Sequence, residues 1–209
     1  QRAAAAIESG WFDEETIPLE AKQIKQRADV LQDEGVRGDS TTESLGKLRP
    51  AFAKDGSVTA GNASQISDGG AAVVITTQEE ASEIGATQLV RIVDSNTYGV
   101  EPKKIFTAPG LGIEQLLKQN NLSIDDIDVF EINEAFAVQV LQNMNHLGLD
   151  ISKVNIGGGG IALGHPIGAS GTRVLVSLIH HMKRTNASRG IVSLCLGGGN
   201  AVSMLVERD

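Results

Sequence analysis

Cysteine occurs once in the 209 residues, at Cys195, so no intrachain disulfide can form and the thiol is either a small buried hydrophobe or a reactive group. No apolar run approaches the roughly 20 residues of a membrane-spanning helix, and no signal peptide is visible. A cytoplasmic setting without a membrane partner is therefore expected. Positive charge is in short supply. Against 26 Asp and Glu there are 18 Lys and Arg, a net charge of −8, and no basic face stands out to neutralise nucleic-acid phosphates. A local basic strip can still hold a small phosphorylated ligand. Histidine is scarce too, with four in the chain; His180 and His181 are helix neighbours that point different ways, and no Cys/His cluster marks zinc, so no metal is expected. Neither glycine run fits G-x-G-x-x-G with its acidic partner, which disfavours a dinucleotide fold. Gly168-Ala169-Ser170-Gly171 is not a G-x-S-x-G elbow either.

What the chain has in quantity is glycine, 24 residues of it, densest from 157 to 171 around His165. Each glycine costs backbone entropy on folding, so this density marks places where the chain turns sharply or lies close to another group. Pro166 biases His165 towards an extended backbone, and the glycines leave its ring little shielded. A second run, Gly197 to Gly199, follows Cys195. With 41% hydrophobic and 21% charged residues the chain reads as soluble and globular, long enough for one large domain or two small ones around a real core.

Residues 1–65 are polar and irregular, with a short helix at the start, alternating runs at 16–21 and a capped helix at 42–48. The turn signals Asp55-Gly56 and Gly61-Asn62 mark this part as loop-rich. The apolar run 71–76 reads as a buried strand, followed by a helix at 78–84. A regular alternation then begins: strand 89–98, helix 113–119, strand 127–132, helix 135–147, strand 154–156 and helix 171–182, closed by a hairpin of 190–196 with 201–206. This predicts an α/β layered fold with a mixed five-stranded sheet flanked by helices, plus a loop-rich subdomain. The helix-favouring start at Gln1 has neither an initiator Met nor a capping residue, which suggests a piece of something longer.

Three chemical groups fall at strand ends, where ligands bind in open α/β sheets: Asn133 after one strand, His165 between a strand and a helix, and Cys195 before a glycine turn. Each also has a plain structural reading. Asn133 suits a helix N-cap, with Glu134 on the helix dipole; a single His is more often a satisfied polar group; a lone Cys is usually core. The amides of Gly197 to Gly199 strengthen the reactive reading of the thiol.

The motifs Asn133-Glu134-Ala135-Phe136, Gly164-His165-Pro166-Ile167-Gly168-Ala169-Ser170-Gly171 and Cys195-Leu196-Gly197-Gly198-Gly199 together resemble the thiolases, acyltransferases of the condensing-enzyme superfamily. A fourth stretch, Val58-Thr59-Ala60-Gly61-Asn62-Ala63-Ser64 with Ser67-Asp68-Gly69, is similar to the segment that borders their CoA site. The resemblance covers essentially the whole chain. It implies that His165 helps activate a nucleophilic cysteine and donates to the thioester oxygen of the second substrate, with Asn133 holding a water in that oxyanion hole. Cys195 would be the base at the α-carbon of acetyl-CoA, and the amide of Gly197 part of a second oxyanion hole. Ser64 would contact the pantetheine arm, Arg37, Ser44 and Leu48 would hold the nucleotide end, and Ala135 and Phe136 would line the CoA site. Coenzyme A thioesters would be substrates, with no separate cofactor.

The acyl-accepting cysteine of the family has no counterpart in the chain, because Cys195 matches the other motif. The chain thus looks like the C-terminal half of a thiolase, with the N-terminal sheet domain largely missing. The division implied is 1–66 as the rest of the CoA-covering loops, 67–87 as the last strand and helix of the N-terminal domain, and 88–209 as the C-terminal domain. The expected activity is that of an acetoacetyl-CoA thiolase, joining two acetyl-CoA, with the isolated chain inactive. Expected partners are acetyl-CoA, acetoacetyl-CoA, the missing half, and further copies in a dimer or tetramer. Ile167, Ala169 and the Gly198-Gly199 tail resemble the biosynthetic subgroup; Phe130-Glu131-Ile132 and 64–68 lean to degradative 3-ketoacyl-CoA thiolases. Two readings from other classes stay open: a non-catalytic CoA-binding or assembly module, and a thiol hydrolase with Cys195 as nucleophile and His165 as base.

Overall fold

Side-chain alternation sorts the strands of the C-terminal part into two buried faces. The structure, a computed structural model, describes residues 1–87 and 90–208. In chain order the helices are α1 (Arg2–Glu8), α2 (Ala21–Ile24), α3 (Thr42–Gly46), α4 (Gln78–Glu83), α5 (Ala108–Gln119), α6 (Ala137–Leu147), α7 (Gly160–Leu163) and α8 (Ser170–Thr185). The strands are β1 (Arg91–Gly99), β2 (Val129–Ile132), β3 (Arg189–Leu196) and β4 (Asn200–Glu207), in the sheet order β1-β4-β3-β2. β4 pairs antiparallel with β1 and β3, and β2 runs parallel to β3, so the sheet is mixed.

One face carries Phe130, Ile132, Ile191 and Leu205, which pack with Ile113, Leu116 and Leu117 of α5 and Val140 and Met144 of α6. The other carries Val129, Val192 and Val206 against Val174, Leu178 and Met182 of α8. Ser193 and Ser203 are cross-strand partners on the first face, fully buried, with their hydroxyls 2.8 Å apart. On the second face Glu131 meets His181 of α8 at 2.9 Å, both buried. The β3–β4 turn is Gly197 to Gly199, and Gly198 and Gly199 take φ of 86° and 94°, a region open to glycine at no steric cost.

Among the described residues the sheet has four strands where the sequence predicts five. Residues 154–156 contribute a single parallel bridge, Phe130 to Val154, because Asn155 turns left-handed at φ 47° and takes the chain away. The apolar run 71–76 forms no strand either; Val74 is 95% exposed, because no strand among the described residues pairs with it. The predicted start of β1 at Leu89 and the domain edge at 88 lie outside the described residues. α5 begins earlier than the predicted residue 113: Pro109 sits in the first turn, where its missing N–H is no loss.

Residues before the sheet brace the segment that leads to His165. Arg2 donates to the carbonyls of Val154 and Ile151 at 2.7 and 2.9 Å. Residues 62–64 lie antiparallel to 135–137, through Ser64 N–H to Ala135 O, Ala137 N–H to Asn62 O and the bridge of Ala63 with Phe136. No helix among the described residues is long and apolar enough to cross a membrane.

Candidate active site

Asn133 extends the parallel ladder one residue past β2, its N–H donating to Ser193 O at 3.0 Å. Its side chain is buried and reaches His165, on the loop between α7 and α8. The amide nitrogen lies 3.3 Å from Nε2 and 3.4 Å from Nδ1 of that ring. Near-equal distances to both nitrogens put the amide over the ring, not in line with either lone pair. Asn133 Oδ1 stays buried without a partner.

The other contact of His165 sets its tautomer. Nδ1 lies 2.6 Å from Ser170 Oγ, and that hydroxyl donates to Pro166 O at 2.9 Å. With the hydroxyl proton committed to a carbonyl, Oγ accepts from Nδ1–H, which leaves the Nε2 lone pair of the neutral ring free. Burial, helped by the positive charge of Arg173, holds the imidazole below its usual pKa and so keeps it neutral. The ring is half-buried, not left open by its glycines.

Cys195, on β3, pairs with Ala201 of β4, and strand alternation turns it to the face of Ser193. It makes no hydrogen bond to Asn133 or His165. Burial pushes its thiol above the usual pKa, so it is a protonated thiol near neutrality. Gly197 opens the adjoining turn, with open space around its α-carbon. Among the described residues no group of three His, Cys, Asp or Glu side chains could hold a metal.

The expected CoA residues fall into two sets. Ser64, Ala135 and Phe136 come together through the pairing of 62–64 with 135–137, and Phe136 meets Phe106 and Phe52 edge-on at 5.2 and 6.0 Å. Leu48 packs near Gly61, at the start of that pairing. Arg37 is exposed, and Ser44 is tied into the capping box of α3 by Thr41. Asn133 caps no helix, since α6 starts at Ala137 with Phe136 before it. Glu134 serves another helix: its carboxylate accepts from Ile161 N–H of α7 at 3.1 Å and from Asn155 Nδ2 at 2.9 Å. Sequence reasoning alone gives Ser170 no role; its place five residues after His165, across the Pro166 turn at the start of α8, is the signal that could have found it.

The chain as a whole has known relatives. The family model described as the thiolase C-terminal domain matches residues 86–208, and that of the thiolase N-terminal domain matches residues 1–79. The chain belongs to the thiolase family. It is 47% identical over 209 residues to an acetyl-CoA acetyltransferase of Thiocystis violacea, covering 100% of this chain and 53% of that protein. It is 44% identical to a 3-ketoacyl-CoA thiolase of Bacillus subtilis, covering 99% of this chain and 55% of that one. The crystal structure of the Bacillus anthracis acetyl-CoA acetyltransferase superposes with a TM-score of 0.93 at 47% identity, over 99% of this chain and 52% of that one. Human mitochondrial 3-ketoacyl-CoA thiolase in complex with CoA gives 0.91 at 38%, over 100% and 52%. The chain spans about half the length of the curated relatives it matches.

Proposed function

We propose that this chain carries the histidine, asparagine and second-cysteine half of an acetyl-CoA C-acetyltransferase site, which joins two acetyl-CoA reversibly into acetoacetyl-CoA and CoA. The observation that carries the reading is the free Nε2 lone pair of His165, set by Ser170 and flanked by Asn133. In the first half-reaction Nε2 takes the proton of the acyl-accepting cysteine, whose thiolate attacks the carbonyl of acetyl-CoA. CoA leaves as a thiolate and takes the proton of Cys195; a thiol that starts protonated suits this order. The Cys195 thiolate then removes a proton from the α-carbon of the second acetyl-CoA. Nε2, now protonated, donates to the enolate oxygen, with a water on Asn133 beside it. The carbanion attacks the acyl-enzyme, whose oxyanion the Gly197 amide helps to hold, and the nucleophilic thiolate leaves and recovers its proton from His165.

The nucleophile comes from the remaining half of a thiolase polypeptide, which also pairs with the run 71–76. The division at 1–66, 67–87 and 88–209, the cytoplasmic setting and assembly into a dimer or tetramer belong to the same reading, and Ser64, Arg37, Ser44, Leu48, Ala135 and Phe136 would bind CoA. The test is a thiolysis assay of the chain alone and joined to that half. Turnover only in the joined protein is expected; turnover by the chain alone sinks the division of roles.

A second reading, a degradative 3-ketoacyl-CoA thiolase, is favoured by the relatives of that name. Efficient cleavage of long 3-ketoacyl-CoA by the joined protein would select it. The thiol-hydrolase reading is disfavoured by the raised thiol pKa, and acylation of Cys195 by acetyl-CoA would revive it. A non-catalytic CoA-binding module would bind CoA yet stay inactive when joined.

A further inference from the structure

α7 is a single turn, Gly160–Leu163, too short to be stable by itself. Its backbone leaves donors unmet at one end and acceptors unmet at the other. Two side chains remote in sequence meet them. Glu134 accepts from Ile161 N–H at 3.1 Å in the first turn. Gln65 donates through Nε2 to Ala162 O at 3.0 Å, with Ile161 O at 3.5 Å, at the opposite end.

Both side chains are themselves fixed. Glu134 also accepts from Asn155 Nδ2 at 2.9 Å, and the Asn155 amide makes a reciprocal pair with the peptide of Ile132, 2.8 Å each way. A Cβ at position 159 would overlap the Glu134 carboxylate, and one at position 35 would overlap the Gln65 amide, so Gly159 and Gly35 let each group lie flat against the backbone. Gly164 follows α7 at φ 98°, and His165 comes next. The orientation of that turn therefore decides where the imidazole stands relative to Asn133.

We propose that Gln65 and Glu134 are positioning residues that clamp the single turn α7 at its two ends and thereby hold His165 against Asn133. The clamp rests on the reading of His165 as a catalytic group only for its effect on rate; its effect on structure is independent. Gln65 directly follows Ser64, so the segment read as CoA-facing and the histidine loop are joined through one side-chain amide.

The test is amide exchange of the isotopically labelled 209-residue chain by NMR. Leu163 and Gly164 donate to Gly159 O and Gly160 O at 2.9 and 3.0 Å and report on α7 directly. Gln65→Met, which keeps the bulk and loses the donor, and Glu134→Ala should each raise exchange at these two amides by about ten-fold while β3 and β4 stay protected. The His165 ring signals should move with them, and Glu134→Gln, which keeps one acceptor oxygen, should recover most of the protection. Unchanged exchange and an unmoved His165 ring in the folded variants overturn the clamp. Should a variant not fold, the unsubstituted chain decides: cross-relaxation from the Gln65 side-chain amide to the Ile161–Ala162 turn supports the clamp, and its absence overturns it. In the joined protein Gln65→Met should lower kcat with KM nearly unchanged. An inactive joined protein overturns the functional reading alone, since the exchange result stands without turnover.

Discussion

β2 (Val129–Ile132) and the run 71–76 are both short apolar segments, yet every residue of the first is buried and every residue of the second is exposed. Their compositions do not explain this. β2 is an edge strand, paired along one edge with β3 and along the other with Asn155, and it has α5 and α6 on one face and α8 on the other, so its backbone groups are paired and its side chains enclosed. The run 71–76 has no such neighbour among the described residues. An apolar run thus marks a capacity for burial, and a partner strand decides whether the capacity is used.

The sharpest way to break the contrast is Phe130→Ala. Phe130 is fully buried, and the substitution should cost about 3–5 kcal/mol in a denaturant titration. A loss under roughly 1 kcal/mol would mean that β2 is not the packed strand described. Glu131→Gln tests the polar member of β2, whose carboxylate faces His181 at 2.9 Å; a loss of about 1–3 kcal/mol is expected. No loss would remove that pair from the forces fixing α8 on the sheet.

Glu15 is an intermediate case. It precedes the sheet, accepts from Ser177 of α8 at 3.3 Å, and burial raises its pKa from 4.5 to about 7. The folded state binds this proton more tightly than the unfolded chain, so the contribution is fully present below pH 4.5 and is lost as pH rises through 7. Glu15→Gln should accordingly stabilise the chain by on the order of 1–3 kcal/mol at pH 8 and by little at pH 4. Thermal melts at the two pH values measure it, and an equal shift at both would contradict burial of a titrating carboxyl as the cause. The smallest effect belongs to Val74→Ser, expected to change stability by under about 0.5 kcal/mol in this chain. A larger loss would show that the run is covered after all.

The alternation of strands and helices was legible because each buried strand is a short apolar run and α5, α6 and α8 bury one stripe each. What was not legible depends on distant partners. The fifth strand fails at Asn155, whose side chain pairs with Ile132 while its backbone turns away. The helix expected over 113–119 begins at Ala108, since Gly110 sits against Asn143 and Gly112 against Ser203, where a larger residue would not fit. In the site, Asn133 and His165 stood out because motif and strand-end position agreed. Glu134 looked like a dipole partner for its own helix and instead serves α7, 27 residues away. Gln65 acts 97 residues away, a distance that periodicity cannot register.

The hydroxyl pair of Ser193 and Ser203 has a consequence for Cys195. Both hydroxyls are sealed between the sheet and α5, and each has the other at 2.8 Å. Sliding β3 by one residue along β4 would turn one hydroxyl to the opposite face and leave the other alone in an apolar layer. Two residues further on, the same slip would carry the thiol of Cys195 to the wrong side of the sheet. Two small polar side chains thus act as an alignment mark for the hairpin, and the sulfur of Cys195 inherits its address from them.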